Sequence, residues 1–168
     1  MHELGWLTGN IVATQRRHAA RIDTLYRGDL DEPFVAVRGT FFGASHGLWG
    51  SNEPDMLEQP EAWLQALLAD MEAKVALLAD ETTFRPAAIE VDPLGTHFID
   101  ALFGAATGYA EGQVWAEKLN LPLEQLAVPD LSGSAILRQT AHLLRLAVEA
   151  SDGKLWIGMP VLSCPIKI

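Results

Sequence analysis

The stretch IEVDPLGTHFIDALFG, residues 89 to 104, decides the fold prediction. A short apolar run ends at Asp92, a proline and a glycine follow, and His97 and an apolar helical turn come next. Short β-rich runs bounded by proline and glycine are typical of buried strands. The stretch therefore predicts a buried strand with a carboxylate at its end, followed by a short helix over residues 96 to 103.

Two other apolar runs predict strands, FVAVRG at residues 34 to 39 and KLWIGMPV at residues 154 to 161. Helical patterns alternate with the strands, at residues 10 to 27, 60 to 79 and 134 to 150. Strands that alternate with helices predict a parallel sheet with right-handed crossovers. YAEGQVWAEKL, from residue 109, fits either a pair of strands or an excursion from this pattern.

The predicted helices have recognisable ends and apolar faces. Asn10 and Ser134 are predicted N-caps, and Gly28 and the pair Asp152-Gly153 are predicted C-terminal stops. The positions predicted to face the core are Ile11, Ala19, Ile22, Leu25 and Tyr26 in the first helix, Leu64, Leu67, Leu68, Met71, Val75 and Leu78 in the second, and Ile136, Leu137, Leu144, Ala147 and Val148 in the third.

Three strands are too few for a closed eight-stranded barrel, which typically takes ~250 residues. The last predicted strand also has no helix after it to cover it. We therefore predict an α/β fold, the N-terminal part of a TIM-type (β/α)8 barrel with about three parallel strands and covering helices. Residues 1 to 168 would form a single partial barrel domain, truncated at its C-terminus.

Composition narrows the classes of partner. The formal net charge of -10 argues against nucleic acid, whose phosphates need a basic face, but it permits a small-molecule substrate. No apolar stretch approaches the ~18 to 20 residues of a membrane-spanning helix. For this reason we expect no membrane partner. A single cysteine, Cys164, excludes an intrachain disulfide, so we expect a cytoplasmic protein. An exposed sheet edge would favour a homodimer.

Polar residues just past the carboxyl ends of barrel strands face the active site. Asp92 is therefore the candidate catalytic residue, as an acid, a base or an electrostatic anchor, and the alternative is a cap for the helix that follows. Arg38 is a candidate for binding a substrate carboxylate, or else forms an ion pair with an acid such as Glu32. His46 and His97 are candidate substrate-binding residues, with a solvated loop and packing on the sheet as their alternatives.

No metal site is predicted, because Cys164 has no pair of ligands near it and is better explained as a buried structural thiol. His142 and the tryptophans at positions 63, 115 and 156 are predicted to be structural, core or interface residues. Glycine loops of the Walker type, paired CxxC motifs and GxSxG elbows are absent from the sequence.

Four segments resemble the N-terminal half of the uroporphyrinogen decarboxylase (URO-D)-like superfamily, which includes porphyrinogen decarboxylases and methylcobamide-dependent methyltransferases. The resemblance runs from about Arg17 to Ile168. It implies that Arg38 is the substrate-binding arginine at a strand end and that Asp92 is the catalytic aspartate. The segments are FVAVRG, PEAWLQALLADMEAKV, AAIEVDPLGTHFIDALFGA and VPDLSGSAILRQTAHLLRLAVEASDGKLWIGMPVLSCPI.

The resemblance implies a lyase that decarboxylates a tetrapyrrole or a related acid without a cofactor. We expect residues 1 to 168 to be inactive by themselves. One departure matters, because Arg38 is followed by GTFF where the decarboxylases have Gln-Ala-Gly-Arg, so their second arginine is missing. The alternatives are a corrinoid-dependent methyltransferase, in which zinc would activate a thiol, and a non-catalytic truncated barrel that acts by binding or self-association. In the family, the zinc ligands of the methyltransferases and the tyrosine and late histidine of the decarboxylases lie in the C-terminal half.

Overall fold

The computed structural model describes residues 4–33, 55–80, 87–110, 113–125 and 127–158. These residues form a mixed α/β fold that is rich in helix. The helices are α1 (Gly9–Arg27), α2 (Pro60–Ala73), α3 (Val75–Leu78), α4 (Phe98–Leu102) and α5 (Ala135–Ser151), with 3-10 turns at Gly95–His97 and Leu123–Gln125. The strands are β1 (Ala88–Glu90), β2 (Thr107–Ala110), β3 (Gln113–Ala116) and β4 (Trp156–Gly158).

Strands β1 and β4 pair in parallel, with Ile89 opposite Ile157, which confirms two of the predicted strands and their relative direction. The ladder extends past both ends, because Trp156 N donates to Ala87 O at 2.9 Å and Val91 N donates to Gly158 O at 3.1 Å. The strand predicted at residues 34 to 39 lies outside the described residues. The described part of the chain thus supports an α/β fold, and the assignment to the N-terminal part of a TIM-type barrel stays a prediction.

The ambiguous segment after α4 is an antiparallel hairpin of β2 and β3. Gly108 lies opposite Trp115, and a Cβ atom on Gly108 would come within 2.7 Å of Trp115 Cε2. A glycine at this position therefore lets the indole ring lie across β2. The hairpin is inserted between β1 and α5, so the connection from β1 to β4 is longer than a single crossover helix.

One apolar core joins the N-terminal segment, α2, β1 and α5. The apolar stripe of α2 is confirmed, since Leu64, Leu67, Leu68 and Met71 are all buried. On the other side of this core α5 buries Thr140, Leu143, Ala147 and Ser151, which are spaced for one face of a helix. Ser134 caps α5 as predicted, because its side chain accepts from Leu137 N at 3.3 Å.

Helix α1 is attached through polar side chains. Its buried residues are Ile11, Thr14, Gln15 and His18. Gln15 Nε2 donates to the Leu78 carbonyl at 3.1 Å, and Gln15 Oε1 accepts from Ala87 N at 3.0 Å. One amide group therefore links α1 to the end of α3 and to the start of β1.

Several details of the sequence prediction are wrong. Leu25 and Tyr26 are exposed, because the buried face of α1 is the polar one and its apolar C-terminal turn lies outside the core. Val148 is exposed because it lies beside the stripe that contains Ala147. The helix predicted over residues 60 to 79 is interrupted at Lys74, whose backbone (φ -107, ψ 19) is not helical.

The structure confirms some of the predicted helix ends and side-chain environments and contradicts others. The N-cap of α1 is Thr8 rather than Asn10, whereas Gly28 ends α1 as predicted, in the left-handed region at φ 77. His142 was expected to be structural, but half of its side chain is exposed, 3.6 Å from Glu61. Trp63 is in the core as predicted, and Trp115 and Trp156 are partly exposed.

Candidate functional site

The turn after β1 is buried along its whole length, from Val91 to Gly95. Asp92 is 4% exposed, and Pro93 beside it is fully buried. Side chains that can ionise are rarely buried to this degree, because removing a charge from water is costly unless partners stabilise it. The structure thus places the carboxyl group of Asp92 inside the protein, directly after the carboxyl end of a parallel strand.

The capping interpretation of Asp92 is wrong. The 3-10 turn at Gly95–His97 has Leu94 at its N-cap position, and α4 has His97 at that position. Neither N-cap residue makes a side-chain capping bond, and Asp92 lies two residues before Leu94. Helix capping therefore does not explain why a carboxyl group is buried here.

His97 is oriented by a carboxylate one helical turn further along. Its Nδ1 atom lies 2.9 Å from Asp100 Oδ2, and both side chains are partly buried. Because a carboxylate only accepts hydrogen bonds, Nδ1 carries the proton, and in the neutral ring Nε2 is then the acceptor. Asp100 was missed in the sequence analysis, although the spacing His-x-x-Asp on a helix would have predicted the pair.

An open groove of about 660 Å³ lies between α4 and the first turns of α5. Leu94 lines this groove, so it begins two residues after Asp92. The described residues that line it are Leu57, Leu94, Ala101, Leu102, Ala105, Thr107, Pro129, Asp130, Gly133, Ser134, Ala135, Ile136 and Gln139. The N-terminal end of α5 therefore lies on the side of the sheet where β1 ends.

The predicted site residues divide into two groups. Asp92 and His97 belong to one buried turn and the helix after it. Arg38 and His46, and also Cys164, lie outside the described residues, so their roles stay predictions. Glu32, the partner considered for Arg38, forms an ion pair with Arg21 at 3.0 Å.

His18 is a buried titratable residue that the sequence analysis did not single out. It is 4% exposed on the inner face of α1. Burial, with a contribution from the nearby Arg21 and Arg17 guanidinium groups, lowers the pKa of His18 below the ordinary 6.5, although a hydrogen bond to the Asp80 backbone acts in the opposite direction. His18 is far in sequence from any predicted strand end, so no sequence pattern predicted that it would be buried.

Within the described ranges, no group of three or more His, Cys, Asp or Glu side chains is arranged to hold a metal ion. The helices in the same part of the chain are all too short or too polar to cross a bilayer.

Comparisons with protein family models, with curated proteins and with solved structures find no match to this chain. The resemblance to uroporphyrinogen decarboxylases therefore rests on the quoted sequence segments alone.

Proposed function

We propose that the chain is the N-terminal part of a barrel enzyme of the uroporphyrinogen decarboxylase superfamily, a cytoplasmic carboxy-lyase that needs no cofactor. Its substrate would be a tetrapyrrole or a related acid. The observation that carries the proposal is the burial of Asp92 at 4% exposure, directly after a parallel strand. This is the position at which α/β barrels present catalytic groups.

In the proposed mechanism Asp92 accepts hydrogen bonds from the pyrrole N–H groups of the substrate. A proton added to a ring carbon first gives the pyrrole a positive charge, which a fixed carboxylate in a site without water stabilises. When the bond to the departing carboxylate breaks, its electron pair neutralises the ring. A proton then takes the place of the carboxylate, and the proton on the ring carbon is lost. The burial of the surrounding turn supports this role, because Asp92, Pro93 and Leu94 are all shielded from water. The negative charge of Asp92 is in position before the reaction begins, so the groups around the substrate need little reorganisation.

His97 and Arg38 complete the proposed site. With Asp100 on Nδ1, His97 can offer Nε2 to a substrate proton or hydroxyl group. Arg38 would hold one acetate or propionate arm through its two-pronged guanidinium group.

The second candidate is a corrinoid-dependent methyltransferase. The sequence GTFF after Arg38 favours it, because a single arginine leaves most carboxylates of a tetrapyrrole without a partner. In that case zinc would activate a thiol acceptor, and the resemblance assigns its ligands to the C-terminal half of the family. The described residues offer no ligand set for that zinc ion.

A substrate comparison distinguishes the two candidates. The complete barrel protein, with this chain as its N-terminal part, is purified and incubated with a reduced tetrapyrrole acid, and released carbon dioxide is measured. Methylcobalamin with a thiol is then supplied, and methyl transfer is measured. Release of carbon dioxide alone supports the lyase, and methyl transfer alone supports the second candidate. If both assays give no product while the protein binds itself in solution, the non-catalytic barrel is favoured and both enzymatic proposals fail.

A further inference from the structure

The groove between α4 and α5 has the size and lining of a small-molecule site. Its volume of about 660 Å³ lies within the roughly 300 to 1,000 Å³ of ligand pockets in proteins. Its lining includes the apolar residues Leu57, Leu94, Leu102 and Ile136. It also includes the polar residues Asp130 and Gln139. A ligand that fits must therefore have an apolar body and a polar end.

The charged residues that line the groove determine whether the polar end of the ligand is a cation or an anion. Asp130 is the one charged residue among the described lining residues, which include no lysine, arginine or histidine. The chain as a whole has a net charge of -10. Among the described lining residues an anionic group would find no cation, whereas an ammonium group would find the carboxylate of Asp130.

Asp130 is held in place as an ionised group. Its Oδ1 atom accepts from Ser132 N at 3.0 Å and from Ser132 Oγ at 2.6 Å. These bonds, with a third from the Gly133 backbone, lower the pKa of Asp130 below the ordinary 3.8, so it is ionised at neutral pH. Since a carboxylate has about four acceptor positions, one remains for a ligand.

We infer that this groove is a binding site for a small molecule with a short alkyl or aryl body and a single ammonium group, which pairs with Asp130. The site does not rest on the proposed decarboxylation, because Asp92 is not among its lining residues. The apolar body would lie along Leu94, Leu102 and Ile136, where it gains hydrophobic contact, and the ammonium group would select the orientation.

Three probes with the same alkyl chain test the inference on the full chain. Hexylammonium, hexanol and hexanoate are titrated by calorimetry and by NMR chemical shifts. We expect hexylammonium to bind most tightly and hexanoate least. Asp130→Asn keeps the Oδ1 acceptor for Ser132 and removes the charge, so it should weaken hexylammonium up to about fivefold, as for an ion pair open to water. Asp152→Asn, at the other end of α5, removes the same charge and should have no effect.

A blocking variant identifies the place of binding. Gln139 lines the groove and is exposed on α5, so Gln139→Trp should fill the groove and abolish binding of hexylammonium without disturbing the core. The inference is overturned if hexanoate binds as tightly as hexylammonium, if all three probes fail to bind, or if Gln139→Trp leaves binding unchanged. Asp92→Asn should leave hexylammonium binding intact, so failure of the decarboxylase proposal and failure of this site give different results.

Discussion

Replacing Gln15 by leucine should destabilise the protein strongly, although the two side chains are similar in size. Gln15 is 9% exposed, and its amide donates to the Leu78 carbonyl at 3.1 Å and accepts from Ala87 N at 3.0 Å. Leu78 and Ala87 are both buried, at 1% and 3% exposure, so water cannot easily replace the lost partner. Each unsatisfied backbone group costs about 1 to 3 kcal/mol, which gives about 2 to 6 kcal/mol before the extra apolar burial of leucine is subtracted.

We expect a net loss of about 3 kcal/mol in the free energy of unfolding, below the middle of that range because the apolar burial of leucine offsets part of the loss. Urea titration followed by circular dichroism measures it, and hydrogen exchange at the Ala87 amide should become faster. Gln65→Leu is the matched control, because Gln65 is exposed on α2 and its replacement should change stability by less than about 0.5 kcal/mol. If Gln15→Leu is as stable as Gln65→Leu, the amide does not hold α1 to β1 and the reasoning fails.

Two further predictions concern α1 and α5. The pKa of His18 is lower in the folded protein than the ordinary 6.5, so the unfolded chain binds more protons between these two values, and stability should fall as the pH falls below about 6.5. Each tenfold difference in proton affinity between the folded and unfolded states is worth about 1.4 kcal/mol of stability. Urea titrations at several pH values should show a smaller pH dependence of stability in His18→Gln and an unchanged one in the control His142→Gln. Ser134→Ala should cost about 1 kcal/mol by removing the cap of α5, and Ser134→Asp should restore most of it; equal stability of all three proteins in urea would contradict the capping role.

Much of the fold could be predicted because local chemistry and tertiary packing agree. The stripe of α2 follows from helical periodicity, and Gly28 and Ser134 mark helix ends through backbone conformation and capping. The prediction failed at α1, where packing depends on Gln15 meeting backbone groups that are 63 and 72 residues away. Hydrophobic periodicity contains no information about such long-range polar contacts, so Leu25 and Tyr26 were assigned to the core in error.

The candidate site was predictable only in part. Asp92 could be singled out because it follows a short apolar run at a predicted strand end, and the structure buries it after β1, while its catalytic role stays a prediction. The carboxylate that orients His97 required the helical spacing to Asp100, and the groove required the arrangement of α4, the hairpin and α5 in space. The His-x-x-Asp spacing is a short pattern that predicts the first of these, whereas the groove does not follow from any short motif.

The most direct test of the account is the rate of carbon dioxide release from a reduced tetrapyrrole acid by the complete barrel protein, of which this chain is proposed to be the N-terminal part, in its wild-type form and with Asp92→Asn. The exchange keeps the size of the buried side chain and removes its negative charge. We expect the wild-type protein to turn over and Asp92→Asn to lose activity by about a hundredfold or more, with an unchanged circular dichroism spectrum. Asp100→Asn should lose less activity, because it only changes the orientation of His97. Equal rates in wild type and Asp92→Asn would contradict the central claim, as would a wild-type protein that releases no carbon dioxide.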